Sequence, residues 1–347
     1  MFIYLVVLLG TVLLSRWAQK RQSNRIVFGL SALFVCFTGF RAYSVGIDTE
    51  NYIEIWDVIL SGKISYVEPG FIWLNEFLQQ FTDNPTALLL VSSAVIYPLI
   101  IYRLWNYRDI ASFPVMIATF YMCDLMISMN VIRQYMAVAI VFYFSRYLFK
   151  GNYLIYLIGV LLATFLHYSS LIALALFATE LLRWKKLSKV NKFFIAAGIS
   201  VLPVAFGIVL NFASTEYGNF FSSVNHSDVG LLTILKGGFI LLSCLIFNIF
   251  KRNKYASSDT NKMIVIIIIY SLIGLSLESL EYFFPYMGRI GILFHMFFLI
   301  FWGILLKRKK GVNLLICVFF YLLLIVYPFI SSMIYNGQGT IPFKFIF

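Results

Sequence analysis

The chain has 347 residues, of which 61% are hydrophobic and 12% charged, and its formal net charge is +12. Soluble proteins carry about a quarter charged residues, so this composition excludes an ordinary soluble domain. A net charge of this size would suggest nucleic acid as a partner of a soluble protein, but here a membrane topology explains the basicity and no nucleic acid is expected.

Basic residues recur in six clusters, and the apolar sequence between clusters is long enough to cross a bilayer twice. By the positive-inside rule these clusters mark the cytoplasmic loops. The outer side then has a net charge of −6 and the inner side +18, as expected for a protein whose charge is divided by a membrane. The clusters hold 21 of the 27 basic residues and are Arg16/Lys20/Arg21/Arg25, Arg103/Arg108, Arg146/Lys150, Arg183/Lys185/Lys186/Lys189/Lys192, Lys251/Arg252/Lys254/Lys262 and Lys307/Arg308/Lys309/Lys310.

The sequence predicts an all-α integral membrane protein, a single polytopic domain over residues 1–347 with both termini outside. A span needs about 20 residues, which gives about twelve spans. Met1 to Ser15 lacks a basic start and its basic residues follow the apolar run, so it is predicted to be a retained helix rather than a signal peptide. The predicted spans are 2–18, 26–40, 86–104, 112–128, 132–149, 153–166, 170–182, 193–212, 231–250, 263–280, 288–306 and 312–334.

Residues 41–85 form the longest segment outside the predicted spans and are predicted to be an ordered outer loop. The segment is rich in acidic and aromatic residues and contains the turn Glu68-Pro69-Gly70. Within it, residues 71–81 carry apolar side chains at helical spacing. This pattern predicts an interfacial helix that lies on the bilayer.

The segment from Gly151 to Leu182 is too long for one membrane span. Divided into two helices, it gives lengths of only about 22 Å and 18 Å, which are too short to cross the bilayer. Both of its flanks are basic, so the chain must return to the side that it left. The turn His167 to Ser170 therefore cannot reach the outer surface. Non-helical backbone at that depth is tolerated only against protein or a water-filled cavity, so we expect a polar cavity that opens outward.

Four cations fall near the outer ends of predicted spans: Arg41, Arg133, Lys236 and Arg289. A charge at the centre of an inserted helix costs roughly 2.5 to 3.5 kcal/mol, and less near its ends, so four at similar depth need a reason. Each could reach lipid headgroups or pair with a nearby acid. If they converge, they form an anion site, and a lipid-linked diphosphate suits it because guanidinium groups hold phosphate oxygens bidentately.

His167 is the ionisable base of the sunken turn, and Asp48, Glu50 and Glu68 are candidate acids in the outer loop. Any of them could deprotonate a sugar hydroxyl. The sequence lacks the motifs of nucleotide-binding glycine loops, zinc proteases and serine hydrolases, so we expect no cofactor and no zinc site. A divalent ion held by carboxylates near a diphosphate is left open.

Five short motifs in chain order resemble the EpsG family of polysaccharide polymerases, relatives of the Wzy-type O-antigen and capsule polymerases. The resemblance runs over most of the chain. The motifs are R-A-Y-S-V-G-I-D-T-E-N-Y (Arg41 to Tyr52), E-P-G-F (Glu68 to Phe71), N-V-I-R-Q (Asn130 to Gln134), F-L-H-Y-S-S (Phe165 to Ser170) and Y-M-G-R (Tyr286 to Arg289).

The resemblance implies a broadly GT-C-like membrane glycosyltransferase that joins undecaprenyl-diphosphate-linked repeat units on the outer face of the bacterial inner membrane. It implies a lipid-linked donor and acceptor, membrane lipids, and a chain-length regulator and a flippase as candidate partners. By position, its functional set would be Arg41, Asp48, Arg133, His167 and Arg289. Taking the charges and the motifs together, we predict Asp48, His167 and Arg133 as the catalytic residues, and Arg41, Arg133, Arg289, Lys236, Tyr52, Glu68 and Gln134 as the substrate-binding residues.

Two other classes of function fit the same residues. A flippase for the same lipid-linked sugar would also need an outward cavity lined by cations, although the internal symmetry that many transporters have is not found. An O-antigen ligase or another GT-C transferase would share the chemistry but not the acceptor. A purely structural membrane protein is the remaining alternative, and charge at several helix ends argues against it.

Overall fold

The computed structural model describes residues 1–63, 67–177, 238, 258–279, 287–308 and 311–347. These residues fall into two units, Met1–Leu171 with Trp302–Phe347, and Ile172–Phe301, and each is described by itself. Over the described residues the chain is helical, and the only strand-like pairing there is one antiparallel bridge between Arg41 and Phe345. The predicted all-α class is therefore confirmed.

Several described helices are apolar enough to lie in a membrane. Shorter apolar helices occur at Asn24–Gly39, Phe113–Cys123, Tyr153–Leu166 and Met263–Glu278. Four stretches have the length and composition to cross it: Phe2–Arg21, Thr86–Trp105, Gly288–Lys307 and Asn313–Tyr335.

The first unit follows the predicted spans closely over much of its length. The predicted span 112–128 is broken at Asp124, where the chain leaves one helix and enters a short second one. Residues 41–85 contain two helices, and the second of them covers most of the helix predicted over residues 71–81; its position at a membrane surface stays a prediction. The helices are α1 (Phe2–Arg21), α2 (Asn24–Gly39), α3 (Thr49–Leu60), α4 (Pro69–Gln79), α5 (Thr86–Trp105), α6 (Phe113–Cys123), α7 (Leu125–Asn130), α8 (Ile132–Phe149) and α9 (Tyr153–Leu166).

Beyond α9 a 3₁₀ helix covers Tyr168–Ala175, where the predicted span 170–182 begins. Residues 178–182 of that span, the predicted span 193–212 and all but one residue of 231–250 lie outside the described residues. The later helices are α10 (Ser258–Ser279), α11 (Met287–Arg308), α12 (Gly311–Tyr321) and α13 (Tyr327–Tyr335), with a π-helical turn at Leu322–Val326.

Helices α2, α5, α8 and α9 pack side by side in that order in the first unit. Glycine allows the closest approaches. A Cβ on Gly39 would lie 2.9 Å from Leu90 Cδ1, and one on Gly159 would lie 2.4 Å from Phe144 Cγ. Because α8 begins beside Arg133 and α9 ends beside His167, the packing of α8 on α9 sets the separation of these two side chains.

In the second unit, α10 packs against α11 at two glycines. A Cβ on Gly274 would lie 2.8 Å from the backbone nitrogen of His295, and one on Gly291 would lie 2.8 Å from the carbonyl oxygen of Gly274. Ring centroids of Tyr270 and Phe297 are 4.7 Å apart across the same contact. Small residues at such a crossing let two helix backbones approach closely, as is common in membranes.

Replacing Gly159 with Ala should lower the thermal unfolding midpoint of the detergent-solubilised protein. The new methyl group would overlap the ring of Phe144, and overpacking of this kind costs roughly 1 to 3 kcal/mol. Gly29→Ala is the matched control, because nothing lies within 4 Å of a Cβ at Gly29. An unchanged midpoint in Gly159→Ala would contradict the close packing of α8 and α9.

Candidate active site

The turn Glu68-Pro69-Gly70 starts α4 and brings Glu68 against the end of α9. Pro69 occupies the first turn of the helix, where its missing N–H leaves no bond unmade. A Cβ on Gly70 would lie 2.4 Å from the carbonyl oxygen of Phe165, so a side chain at this position would push α4 away. The glycine therefore allows Glu68 to reach the residues that follow α9.

The carboxylate of Glu68 bridges Arg133 and His167, and these three residues are called the Glu68 cluster. Oε1 lies 2.6 Å from Nδ1 of His167, and Nη1 of Arg133 donates to Oε2. Glu68 is 8% exposed, whereas Arg133 and His167 are 26% and 24% exposed. The carboxylate is therefore covered, while the cation and the imidazole both remain open to a ligand.

The Glu68 carboxyl is ionised at neutral pH. Burial raises its pKa, but the hydrogen bond from His167, a backbone hydrogen bond and the charge of Arg133 together lower it by more. The net result is a pKa of about 2 instead of 4.5. An ionised carboxylate only accepts hydrogen bonds, so Nδ1 of His167 is the donor. In the neutral imidazole, Nε2 is then the acceptor, and among the described residues it has no hydrogen-bond partner.

Tyr52 and Phe71 form an aromatic wall beside Arg133. Their ring centroids are 5.8 Å apart in an edge-to-face arrangement, and Cζ of Arg133 lies 5.7 Å from the centroid of Phe71. Burial raises the pKa of Tyr52, although the charge of Arg133 and a hydrogen bond from it oppose the rise. Nε of Arg133 is buried and has no hydrogen-bond partner within the described part of the chain. The guanidinium therefore has donor capacity left.

The C-terminal tail, residues 336–347, binds the first residues of the loop 41–85. Asn130 makes the central connection. Its Oδ1 accepts from the backbone nitrogen of Asp48 at 3.3 Å, while its Nδ2 donates to the carbonyl oxygen and to Oε1 of Gln338 at 2.9 and 2.8 Å. Three further loop amides donate to tail carbonyls: Ala42 to Lys344 at 2.9 Å, Gly46 to Gly339 at 2.9 Å and Ile47 to Gln338 at 3.2 Å.

Gly46 makes this arrangement possible. Its φ of +101° lies in the region that favours glycine, and a Cβ there would lie 2.6 Å from Oδ1 of Asn130. The tail and Gly46 together set the position of Asp48, which is half-buried at the start of α3 and close enough to act electrostatically on Tyr52.

Arg41 lies apart from the hydrogen bonds of the Glu68 cluster. Its side chain is 1% exposed and donates to the carbonyl oxygens of Thr38, at 2.6 Å, and Met129, at 2.8 Å. These carbonyls lie near the ends of α2 and α7. In this structure Arg41 therefore joins two helix ends, and its assignment to a diphosphate site stays a prediction.

The other predicted site residues are distributed as follows. Gln134 is buried next to Arg133 in α8, and Glu50 is exposed in the first turn of α3. Arg289 is exposed near the start of α11, in the second unit. Lys236 lies outside the described residues. The structure thus brings together Glu68, Arg133, His167 and Tyr52 from the predicted set, with Asp48 nearby.

Sequence analysis did not identify Phe71, Asn130 or Gln338 as site residues. Phe71 and Asn130 belong to the short motifs noted above, so the motifs could have indicated them. Gln338 has no local signal beyond the glycine-rich sequence around it, because its role depends on contact with residues more than 200 positions away.

Over the described residues, these features are those of a helical protein with several apolar helices, in which a cation, an imidazole and a carboxylate are joined where α4 and α8 begin and α9 ends. The model of the EpsG family matches residues 2–345, and the chain belongs to this family. The chain is therefore a membrane protein of the polysaccharide-polymerase type, related to glycosyltransferases that use lipid-linked sugars. No curated protein and no solved structure matches the chain.

Glu68 should make the stability of the protein depend on pH in the acid range. Its pKa is lower in the folded protein than its ordinary value of 4.5, so its contribution is complete above pH 4.5 and is lost as the pH falls towards about 2. The whole shift corresponds to roughly 3 kcal/mol. Thermal unfolding of the wild type and Glu68→Gln should differ at pH 7 and converge as the pH falls; a constant difference would contradict the ion pair.

The tail contacts should protect the amides of residues 42–48 from hydrogen exchange. Asn130→Ala removes the amide that joins Asp48 to Gln338 and leaves buried groups unpaired, so exchange in this segment should become about tenfold faster or more. Gly337→Ala, in the tail but with nothing within 4 Å of a new Cβ, is the control. Exchange is followed by mass spectrometry. Equal exchange rates in the wild type and Asn130→Ala would contradict the connection of loop and tail through Asn130.

Proposed function

We propose that the protein polymerises undecaprenyl-diphosphate-linked oligosaccharide repeat units on the outer face of the bacterial inner membrane. The observation that carries the proposal is the Glu68 cluster, in which one buried carboxylate joins a partly exposed arginine to a partly exposed histidine. A cation and a base held side by side suit the transfer of a sugar from a diphosphate to a hydroxyl. Membership of the EpsG family supports the same class of reaction.

Arg133 is proposed to bind the diphosphate of the donor. Its side chain is 26% exposed, so phosphate oxygens could reach the guanidinium without breaking every contact to Glu68. A guanidinium stabilises the negative charge that develops on the diphosphate as the anomeric bond breaks. Arg289 and Lys236 remain proposed as further cations of this site, and Arg41 would join them only by releasing its two carbonyl oxygens.

His167 is proposed as the general base, and Glu68 as the residue that orients it. The hydrogen bond to Nδ1 leaves the lone pair of Nε2 free to take a proton from the acceptor hydroxyl, and the carboxylate then stabilises the imidazolium. The hydroxyl oxygen bonds to the anomeric carbon, the bond from that carbon to the diphosphate oxygen breaks, and undecaprenyl diphosphate leaves. Asp48 is the alternative base, and Tyr52 and Gln134 are proposed to bind substrate.

The membrane topology and the partners of the protein are proposed from the sequence and the family. About twelve spans of GT-C-like arrangement would surround an outward-facing cavity, with residues 41–85 as the outer loop and both termini outside. The diphosphate linkage is already activated, so no nucleotide is required as a source of energy, and no cofactor is proposed. A flippase would deliver the substrate, and a chain-length regulator is a candidate partner.

Purified protein incubated with undecaprenyl-diphosphate repeat units should produce a ladder of oligomers on a gel, spaced by one unit in mass spectrometry. Arg133→Ala and His167→Ala should each reduce the rate about 100-fold or more, because one loses charge stabilisation and the other loses the base. Lys63→Ala, an exposed cation of the same loop, should retain full activity.

A near-normal ladder from Arg133→Ala would remove this residue from the site. If the wild type leaves the donor intact and moves it across vesicle membranes, the protein is a flippase and not a polymerase. Transfer of a single unit to a different acceptor without a ladder would indicate a ligase or another transferase of the same class.

A further inference from the structure

A second group of cations lies at the other end of α8, and the proposed function does not use it. Arg103, near the end of α5, is 4% exposed. Its Nε donates to the carbonyl oxygen of Phe142 at 3.1 Å and to Oγ of Ser145 at 3.3 Å, and its Nη2 donates to the hydroxyl of Tyr107 at 2.5 Å. All of these partners are neutral, so the buried charge is solvated but not balanced.

Arg146 adds a second guanidinium on the same face of α8. Arg103 contacts Phe142, Ser145 and Phe149, and Arg146 lies on this face by helical spacing. The two guanidinium groups are close enough to repel each other. Nη2 of Arg146 donates to the hydroxyl of Tyr147 at 2.7 Å, while Nε is buried and has no partner in the described ranges.

Aromatic rings surround both cations. Cζ of Arg103 lies 4.4 Å from the ring centroid of Tyr107, and Cζ of Arg146 lies 4.0 and 4.6 Å from those of Tyr143 and Tyr147. Ring faces attract cations but do not neutralise them. Among the described residues no carboxylate forms an ion pair with either arginine. Two neighbouring charges that no described carboxylate balances are unfavourable away from water, so an anion bound beside them would stabilise them.

We propose that Arg103 and Arg146 bind the phosphate group of an anionic membrane lipid. Both residues belong to basic clusters that the sequence assigns to the cytoplasmic side, where basic pockets between helices hold such headgroups. Guanidinium groups match phosphate oxygens in geometry and charge. The site lies thirteen residues beyond Arg133 in α8, about 20 Å along the helix, so it is separate from the Glu68 cluster.

The experiment compares lipids on the delipidated, detergent-solubilised full chain. Thermal unfolding is followed during titration with cardiolipin, with phosphatidylglycerol, with zwitterionic phosphatidylcholine, and with inorganic phosphate. Native mass spectrometry counts the lipids that remain bound. The anionic lipids should raise the unfolding midpoint at lower concentration than phosphatidylcholine or inorganic phosphate.

Arg146→Gln should weaken binding of the anionic lipids about tenfold or more, because one charge-assisted bond to phosphate is lost. Arg146 is partly exposed, so this variant avoids the folding defect that a change at buried Arg103 could cause. Arg108→Gln is the matched control. Its guanidinium lies at the same end of α5, 4.4 Å from the ring of Trp105, and donates to Gln22.

Equal affinity of the wild type and Arg146→Gln for anionic lipids would overturn the proposal. An equal loss of affinity in Arg108→Gln would also overturn it, because the effect would then be a general one of surface charge. If inorganic phosphate stabilises the protein and the lipids do not, the ligand of this site is a free anion, and the proposal that it is a lipid headgroup is wrong.

Discussion

The bridge that Glu68 makes between Arg133 and His167 is the interaction on which the rest of the site depends. Its carboxylate holds three segments of chain at one point: the start of α4, the start of α8 and the residues after α9. It pairs the guanidinium of Arg133 with an opposite charge at the start of α8. It also sets the tautomer of the imidazole. One buried charge thus positions a phosphate-binding group and a base next to each other. Two separate hydrogen bonds from Arg133 and His167 to different neutral groups would not hold them together.

The outer loop is held from two directions. On one side, α4 is pressed against α9 through Gly70, where any larger residue would collide with the carbonyl of Phe165. On the other side, the C-terminal tail binds the loop amides around Asp48, with Asn130 joining loop, helix and tail. The C-terminal tail therefore supports a site whose main groups come from the first half of the chain, and a loop supported in this way can present polar groups with little loss of conformational entropy on binding.

Three arginines of the described chain, Arg133, Arg41 and Arg103, are stabilised in different ways. Arg133 has a carboxylate partner, Arg41 has two carbonyl oxygens at helix ends, and Arg103 has neutral hydroxyl and carbonyl groups with aromatic rings beside a second arginine. Only the first pair balances its charge inside the described chain. The other two arrangements solvate a cation without neutralising it. This difference separates a structural arginine with satisfied helix ends from an arginine pair that suits an external anion.

The sequence by itself determined the class of membrane protein, the positions of α8 and α9, and the family, because apolar runs, flanking charges and short motifs are local features. It also identified Arg133, His167 and Glu68 as candidates, but not that they form one cluster. Glu68 lies 65 residues before Arg133 and 99 residues before His167 in the chain. A local sequence pattern cannot specify which of several loop acids will contact such distant residues. The role of Arg41 and that of Gln338 were decided only by the tertiary structure, since buried hydrogen bonds depend on which helix ends meet.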